Sequence, residues 1–149
     1  MDGLLYINEQ DAWKAYKVFL AEDKQGEFKN YAELLKPAKA KAQTAVSFPE
    51  EHGVRLPQRL SITLEPRELS LTFALVADSK DDFLSAYTTF LAKIREGSNG
   101  WVNLRVPELN KTFHLYYLSS DGYKQMTALS EGKVVALVTL KFSEPTPSY

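Results

Sequence analysis

The stretch RELSLTFALVADSKDDFLSAYTTFLAKIREG, residues 67–97, decides how the chain is read. Its first half alternates: Leu69, Leu71, Phe73 and Leu75 take one side, and Glu68, Ser70, Thr72 and Ala74 the other. Strand side chains point to opposite faces in turn, so this is a strand with one apolar face. Asp78 or Ser79 ends it, and the period then changes. Phe83, Leu84, Tyr87, Phe90, Leu91 and Ile94 recur at spacings of three and four, the signature of an amphipathic helix. Ser79 with Asp82 resembles a capping box, Asp replacing Glu or Gln, and Asp81 and Asp82 suit the positive helix start. Lys93 and Arg95 occupy the last turn, where cations are favoured, and Gly97 can close the helix in a left-handed conformation. A strand therefore feeds one long helix over residues 79–96.

The composition bounds what surrounds this unit. With 149 residues the chain is expected to be a single domain that buries about two thirds of its unfolded surface. The hydrophobic and charged fractions, 44% and 25%, are those of an ordinary globular protein. A formal net charge of −1 argues against a dedicated nucleic-acid binder, which carries a basic face. The absence of cysteine excludes disulfides, thiolate ligands and a cysteine nucleophile. The start, MDGLLYINEQ, lacks a basic region and a signal-length apolar run, and no segment approaches the roughly 20 apolar residues of a membrane helix. Synthesis in a cytoplasm is the expectation. Eight tyrosines and eight phenylalanines favour half-buried sheet positions and protein interfaces.

From the N-terminus, Leu4 to Asn8 reads as a short strand, Asp11-Ala12-Trp13 as a turn and Lys17 to Ala21 as a second strand. Asp23 to Gly26 is a polar loop. Phe28, Tyr31, Leu34 and Leu35 fit one face of a short second helix over residues 28–36, ended by Pro37. Residues 36–58 are irregular: KPAKAKAQ is basic and alanine-rich with no clear apolar face, TAVSF is strand-like, PEEHG is a turn and VRLPQ is an extended connector. A connection this long is either a mobile surface loop or an extended arm that docks on a partner.

Leu60, Ile62 and Leu64 alternate with Ser61, Thr63 and Glu65, a strand signal that Pro66 breaks with a corner. After the long helix, GSNG is a turn and Trp101 to Val106 a strand with Val102, Leu104 and Val106 inward. Lys111 to Leu118 returns as a hairpin partner, Ser119 to Gly122 turns, and Tyr123 to Leu129 is a weaker strand. Glu131-Gly132 turns again. Lys133 to Phe142 then places Val134, Ala136, Val138, Leu140 and Phe142 on one face. Hairpin spacing with one dominant helix predicts an α+β fold, mainly an antiparallel β-sandwich or barrel flanked by that helix. A doubly wound α/β fold would need more helices between strands.

No constellation points to chemistry. His52 lies beside Glu50 and Glu51, but adjacent carboxylates in a turn diverge, and no second histidine is near in sequence. No G-x-S-x-G elbow, phosphate loop or dinucleotide pattern is present. The chain reads as a non-enzyme without cofactor or metal. Two features suggest association instead. The strand His114-Leu115-Tyr116-Tyr117 is bulky on both faces, so it is either central in a closed sandwich or covered by another chain. On the back of the long helix Ser85, Thr88, Thr89 and Ala92 are small and uncharged, where a solvated helix carries Lys, Glu and Arg. That face is either a neutral surface or a close contact with a neighbour.

The order of segments carries a resemblance. It runs through Tyr6-Ile7-Asn8, Asp11-Ala12-Trp13, Tyr16 and Val18-Phe19-Leu20, and then Arg67-Glu68-Leu69-Ser70-Leu71-Thr72-Phe73 before the helix. It continues with Asp82-Phe83, Tyr87 and Phe90, the strand Phe113-His114-Leu115-Tyr116-Tyr117, and the close Phe142-Ser143-Glu144-Pro145-Thr146-Pro147. Together these resemble small phage and prophage tail structural proteins of the tail-tube and distal-tail type, over nearly the full length. One departure is Lys17, where the resemblance expects glycine after the tyrosine.

The resemblance implies a ring or stack, most often six-fold, in a virion tail. Its partners would be copies of itself and other tail proteins, with no sequence-specific nucleic-acid contact, no membrane and no catalytic residue. Phe48, Val54 and Leu56 would be apolar contacts of the arm, and Ser85, Thr88, Thr89 and Ala92 a second contact face. The rival reading is a β-sandwich module that binds sugar or peptide on an aromatic platform of Trp101, Tyr116 and Tyr123.

Overall fold

The computed structural model describes residues 2–22, 24–130 and 132–149. The expected loop start at Asp23 and turn at Glu131 lie outside the described residues. The elements in order are β1 (Tyr6–Ile7), β2 (Gln10–Asp11), α1 (Ala12–Tyr16), β3 (Val18–Leu20), α2 (Lys29–Leu35), β4 (Arg67–Ala77), α3 (Lys80–Glu96), β5 (Val102–Val106), β6 (Lys111–Gln125) and β7 (Val134–Glu144). A 3-10 turn, Pro107–Leu109, links β5 to β6. The seven strands form one antiparallel sheet in the order β2-β1-β5-β6-β7-β4-β3. Its outermost members, β2 and β3, are joined only by α1, which at five residues is about 7.5 Å long. The sheet must therefore curl until its edges approach, and the result is a half-barrel with α3 on its core side. The fold is α+β, as its spacing predicts.

The core follows the alternations. Leu69, Leu71, Phe73 and Leu75 of β4 are buried beside Val134, Ala136, Val138, Leu140 and Phe142 of β7, with Val102, Leu104 and Val106 of β5 completing the wall. α3 lays Phe83, Phe90 and Ile94 onto it, and Phe90 meets Phe73 at 5.4 Å and Tyr16 at 5.9 Å between ring centroids. Leu84, expected on this face, is exposed. At about 100° per residue it lies roughly a quarter-turn from the centre of the buried arc. Ser79 caps α3, its hydroxyl accepting from Asp82 N at 3.2 Å. Gly97 has φ 59° and ψ −161°, so it ends the helix outside the left-handed helical region expected for it. Only glycine fits: a Cβ there would lie 2.6 Å from the Trp101 carbonyl oxygen.

Four expectations change. The first strand is only Tyr6–Ile7, because Asn8 and Glu9 adopt positive φ and reverse the chain into β2. Asp11-Ala12-Trp13 is not a turn but the start of α1, with Asp11 Oδ1 accepting from Trp13 N at 3.0 Å and Lys14 N at 3.4 Å. The expected strands 111–118 and 123–129 are mostly one strand, β6, which runs to Gln125. The predicted turn at 119–122 is a pair of irregularities in the β6–β7 register, between Tyr117 and Ser119 and between Ser120 and Gly122. Leu60 to Leu64, expected as a strand, holds only an isolated bridge from Leu64 to Ala40, and Leu60 and Ile62 are exposed. Lys17, the residue in the glycine position, does take a left-handed conformation, φ 59° and ψ 40°. Its N–H closes α1 on the Trp13 carbonyl at 2.9 Å, and its ammonium lies 5.1 Å from the Trp13 ring.

α2 covers an edge of β4 that β3 leaves open. β3 pairs with β4 only as far as Leu20↔Phe73, and Ala21 N adds one bond to Thr72 O at 3.0 Å. Beyond that point side chains replace the missing strand. Asn30 Oδ1 accepts from Thr72 N at 2.8 Å while its Nδ2 donates to Thr72 O at 3.1 Å and Ala21 O at 2.6 Å. Glu33 accepts from Ser70 N at 3.3 Å, and Lys36 donates to Glu68 O at 3.1 Å. Helix positions three apart advance about 4.5 Å, whereas alternate strand residues advance about 6.7 Å. The series Asn, Glu, Lys lengthens as that gap grows. The buried face of α2 is accordingly Asn30 and Leu34, while Phe28 and Leu35, expected inward, are exposed.

At the end of this edge Arg67 and Glu144, each 3% exposed, form a buried pair. Arg67 Nε donates to Glu144 Oε1 at 2.8 Å, Nη2 lies 2.7 Å from the same oxygen, and Nη1 donates to the carbonyls of Leu34 and Lys36. The pair joins the start of β4, the end of β7 and the end of α2. Arg67→Met should lower stability by about 3–5 kcal/mol by stranding the carboxylate, and adding Glu144→Leu should recover much of that loss. Urea unfolding of the single and double variants checks both. Asn30→Ala should cost about 1–3 kcal/mol and speed amide exchange at Thr72, since the Thr72 N–H loses its partner while its carbonyl keeps only Ala21 N.

Candidate assembly surfaces

The chain between α2 and β4 leaves the body as a two-stranded ribbon. Glu65 N donates to Lys39 O and Lys41 N to Thr63 O, both at 2.7 Å, and Val46 and Arg55 exchange backbone bonds farther out. Gln43 ties the strands again through Ser61 O at 3.0 Å. The segment 36–58, expected as a surface loop or an extended arm, supplies the outgoing side and tip of this ribbon, and the returning side runs to residue 65. Between 39 and 66 all residues are exposed except Gln43 and Leu64, which are half-buried. Phe48, Val54 and Leu56 are exposed at and near the tip, Val54 at 57%. Arg55 pairs with Glu51, which raises its pKa, and sits 5.1 Å over the Phe48 ring. Val46, Leu60 and Ile62 share this exposure. For Leu60 and Ile62 the sequence signal is the 60–64 alternation, which marks amphipathicity and not burial.

Ser85, Thr88, Thr89 and Ala92 stand together on the exposed face of α3. The Thr88 hydroxyl donates to the Leu84 carbonyl at 2.8 Å and is satisfied within the helix. The arm joins the Arg67 end of β4 and α3 the Ala77 end. The expected aromatic platform is split. Trp101 stacks on His114 at 3.9 Å and meets Tyr116 edge-on at 5.8 Å. Tyr123 instead packs on Tyr87 of α3 at 5.7 Å, on the other side of the sheet, because even and odd positions of a strand face opposite ways and the two register shifts of β6 cancel before Tyr123. His52 is exposed in the arm tip, and among the described residues no group of three or more His, Asp or Glu side chains could hold a metal ion.

A further surface had no sequence signal. A cleft of about 540 Å³ opens between the N-terminal segment, β3 and α2, lined by Leu4, Phe19, Leu20, Phe28, Glu22 and Glu108 among others. Its parts come together only in the fold. The Tyr31 hydroxyl donates to Glu108 at 3.0 Å across it, and burial, reinforced by that carboxylate, raises the Tyr31 pKa. Leu4 and Phe28 are exposed on its lips, Phe28 at 65%. The Leu4 lip is held by Gly3 N, which donates to Asp11 Oδ2 at 2.7 Å.

Among the described residues no helix is long and apolar enough to cross a membrane. The curled antiparallel sheet with one long helix defines the class of fold. No family model and no curated protein sequence matches the chain. Among solved structures it is similar to the Dit protein of phage SPP1, described as a paradigm of the hub adsorption apparatus in phages infecting Gram-positive hosts. The TM-score is 0.53 at 10% identity, over 95% of this chain and 50% of that one, so this chain spans half the length of that protein. At that identity the likeness is one of fold.

The Asp11 carboxylate ties the cleft lip to the start of α1, and its pKa is lowered chiefly by the Gly3 hydrogen bond, then by the amides of Lys14 and Trp13. A carboxylate lowered on folding stabilises above its unfolded value near 3.8 and loses that contribution as pH falls through the folded value. The Gly3 and Trp13 amide resonances should therefore shift together in an acid titration, with a midpoint below 3.8. Asp11→Asn should abolish that common titration.

Proposed function

We propose that the protein is a structural, non-catalytic component of a phage or prophage tail, of the tail-tube or distal-tail type. It acts by self-association into a ring, six-fold in the form the resemblance implies, and by docking to other tail proteins. Synthesis in the bacterial cytoplasm precedes its incorporation into the virion tail. The observation that carries this reading is the arm. A lone two-stranded ribbon is marginal in water, yet this one bears exposed Val46, Phe48, Val54, Leu56, Leu60 and Ile62 and is fastened at its root by the buried Arg67–Glu144 pair. A fixed root with an uncovered apolar ribbon suits a contact made outside the chain. The fold shared with the SPP1 Dit protein supports the same direction.

On this reading Ser85, Thr88, Thr89 and Ala92 form a second contact face, where close approach needs small uncharged groups. Thr88→Arg should change folding stability by no more than about 0.5 kcal/mol, being exposed, while it disrupts assembly. Light scattering after size exclusion and thermal melts separate the two effects. Antibody against the chain, imaged by electron microscopy on intact particles, should decorate the tail. Particles with unlabelled tails would sink the proposal.

A further inference from the structure

The arm has a two-faced stem. With Ala40 opposite Leu64, alternation places Ala40, Ala42, Leu60, Ile62 and Leu64 on one face and Lys39, Lys41, Gln43, Ser61 and Thr63 on the other. The apolar face is open: Ile62 is 67% exposed and Leu60 48%. The stem, residues 38–45 and 56–65, carries Lys39, Lys41 and Arg59 against the single acid Glu65.

The cleft between the N-terminal segment, β3 and α2 has the opposite character. It is an apolar concavity whose charged lining residues are Glu22 and Glu108, with no cation among those that line it. At about 540 Å³ it accommodates several aliphatic side chains. One chain therefore displays a cationic ribbon with an apolar face and an anionic apolar cleft.

We infer that the cleft is the acceptor site for the arm stem of a second copy of this chain, with Leu60 and Ile62 entering between Leu4 and Phe28. Lys41 and Arg59, one on each strand and rooted on the opposite face, reach around the ribbon's edges to Glu22 and Glu108 at the rim. The inference rests on the self-assembly reading and names the surface that receives the arm. Because arm and cleft are different surfaces, the contact is heterologous, and repetition gives a closed ring when the rotation closes and a filament when it does not.

The chain contains no cysteine, so engineered thiols report one contact at a time. Leu4→Cys marks the cleft lip, Ile62→Cys the stem and Glu96→Cys a control on the exposed end of α3. All three positions are exposed, and thermal melts confirm that each variant folds. Under mild oxidation the mixture of Leu4→Cys and Ile62→Cys chains should form the mixed disulfide on the order of tenfold faster than Glu96→Cys with Ile62→Cys, since docking raises the effective thiol concentration. Adding Lys41→Glu and Arg59→Glu to the Ile62→Cys chain should remove the advantage. Equal rates for the two mixtures would overturn the inference. Tail labelling with equal rates would leave the tail reading standing and assign the arm another acceptor, whereas unlabelled tails with fast pairing would separate the contact from any tail role.

Discussion

Strand β4 has two edges to satisfy along eleven residues, and the rest of the molecule is arranged around that requirement. One edge is met in register by β7, from Arg67↔Glu144 to Ala77↔Val134. The other is divided between the three residues of β3 and the side chains of Asn30, Glu33 and Lys36. An exposed strand edge invites pairing with other chains, and covering it with helix side chains removes that liability without another strand. It also fixes where α2 ends, and hence where the arm begins. The residues that close the edge, Arg67 and Glu144, come from the two segments Arg67 to Phe73 and Phe142 to Pro147 that carry much of the family likeness. Sequence separation hides their contact, and the fold makes it.

The curl of the sheet has a second source. β6 pairs first with β5, through Lys111 to Leu115, and then with β7, through Tyr116 to Gln125. Passing from one partner to the other bends it, and the register shifts around Ser119 and Gly122 absorb that bend. The first shift reverses the alternation and the second restores it, so Tyr117 and Tyr123 share the core side with Phe142 and Val138 while Tyr116 lies on the other.

How much of this is legible in the sequence depends on the range of the interaction that decides each element. The β4–α3 unit is legible because alternation, cap and helical period are all local and agree over many residues. The inward triplet Val102, Leu104 and Val106 is legible for the same reason. α1 is too short for periodicity to register, and Asp11 suits a turn as well as a helix start. Ser119 to Gly122 has turn composition because register shifts and turns both favour small flexible residues. Leu60, Ile62 and Leu64 show a true strand alternation, yet alternation reports amphipathicity and not burial. Lys17 shows the converse: the backbone requirement implied by the glycine position holds, and lysine meets it. The cleft is illegible because Leu4, Phe19, Phe28 and Glu108 meet only after the sheet has curled.

The ribbon stands apart from the core of the body. The body buries Leu, Val and Phe side chains on both strands of its central pair and does not need the ribbon for its core. The ribbon in turn gains little from the body beyond its root, where Ala38 N meets Tyr149 O at 3.0 Å and the Lys111 ammonium sits 3.7 Å from the Tyr149 ring. Ordering a ribbon costs backbone entropy at every residue, and few internal contacts repay it here. Leu60 and Ile62 remain in water on its apolar face. The core is thereby placed on residues outside the ribbon, so substitutions on the ribbon's apolar face have little effect on it.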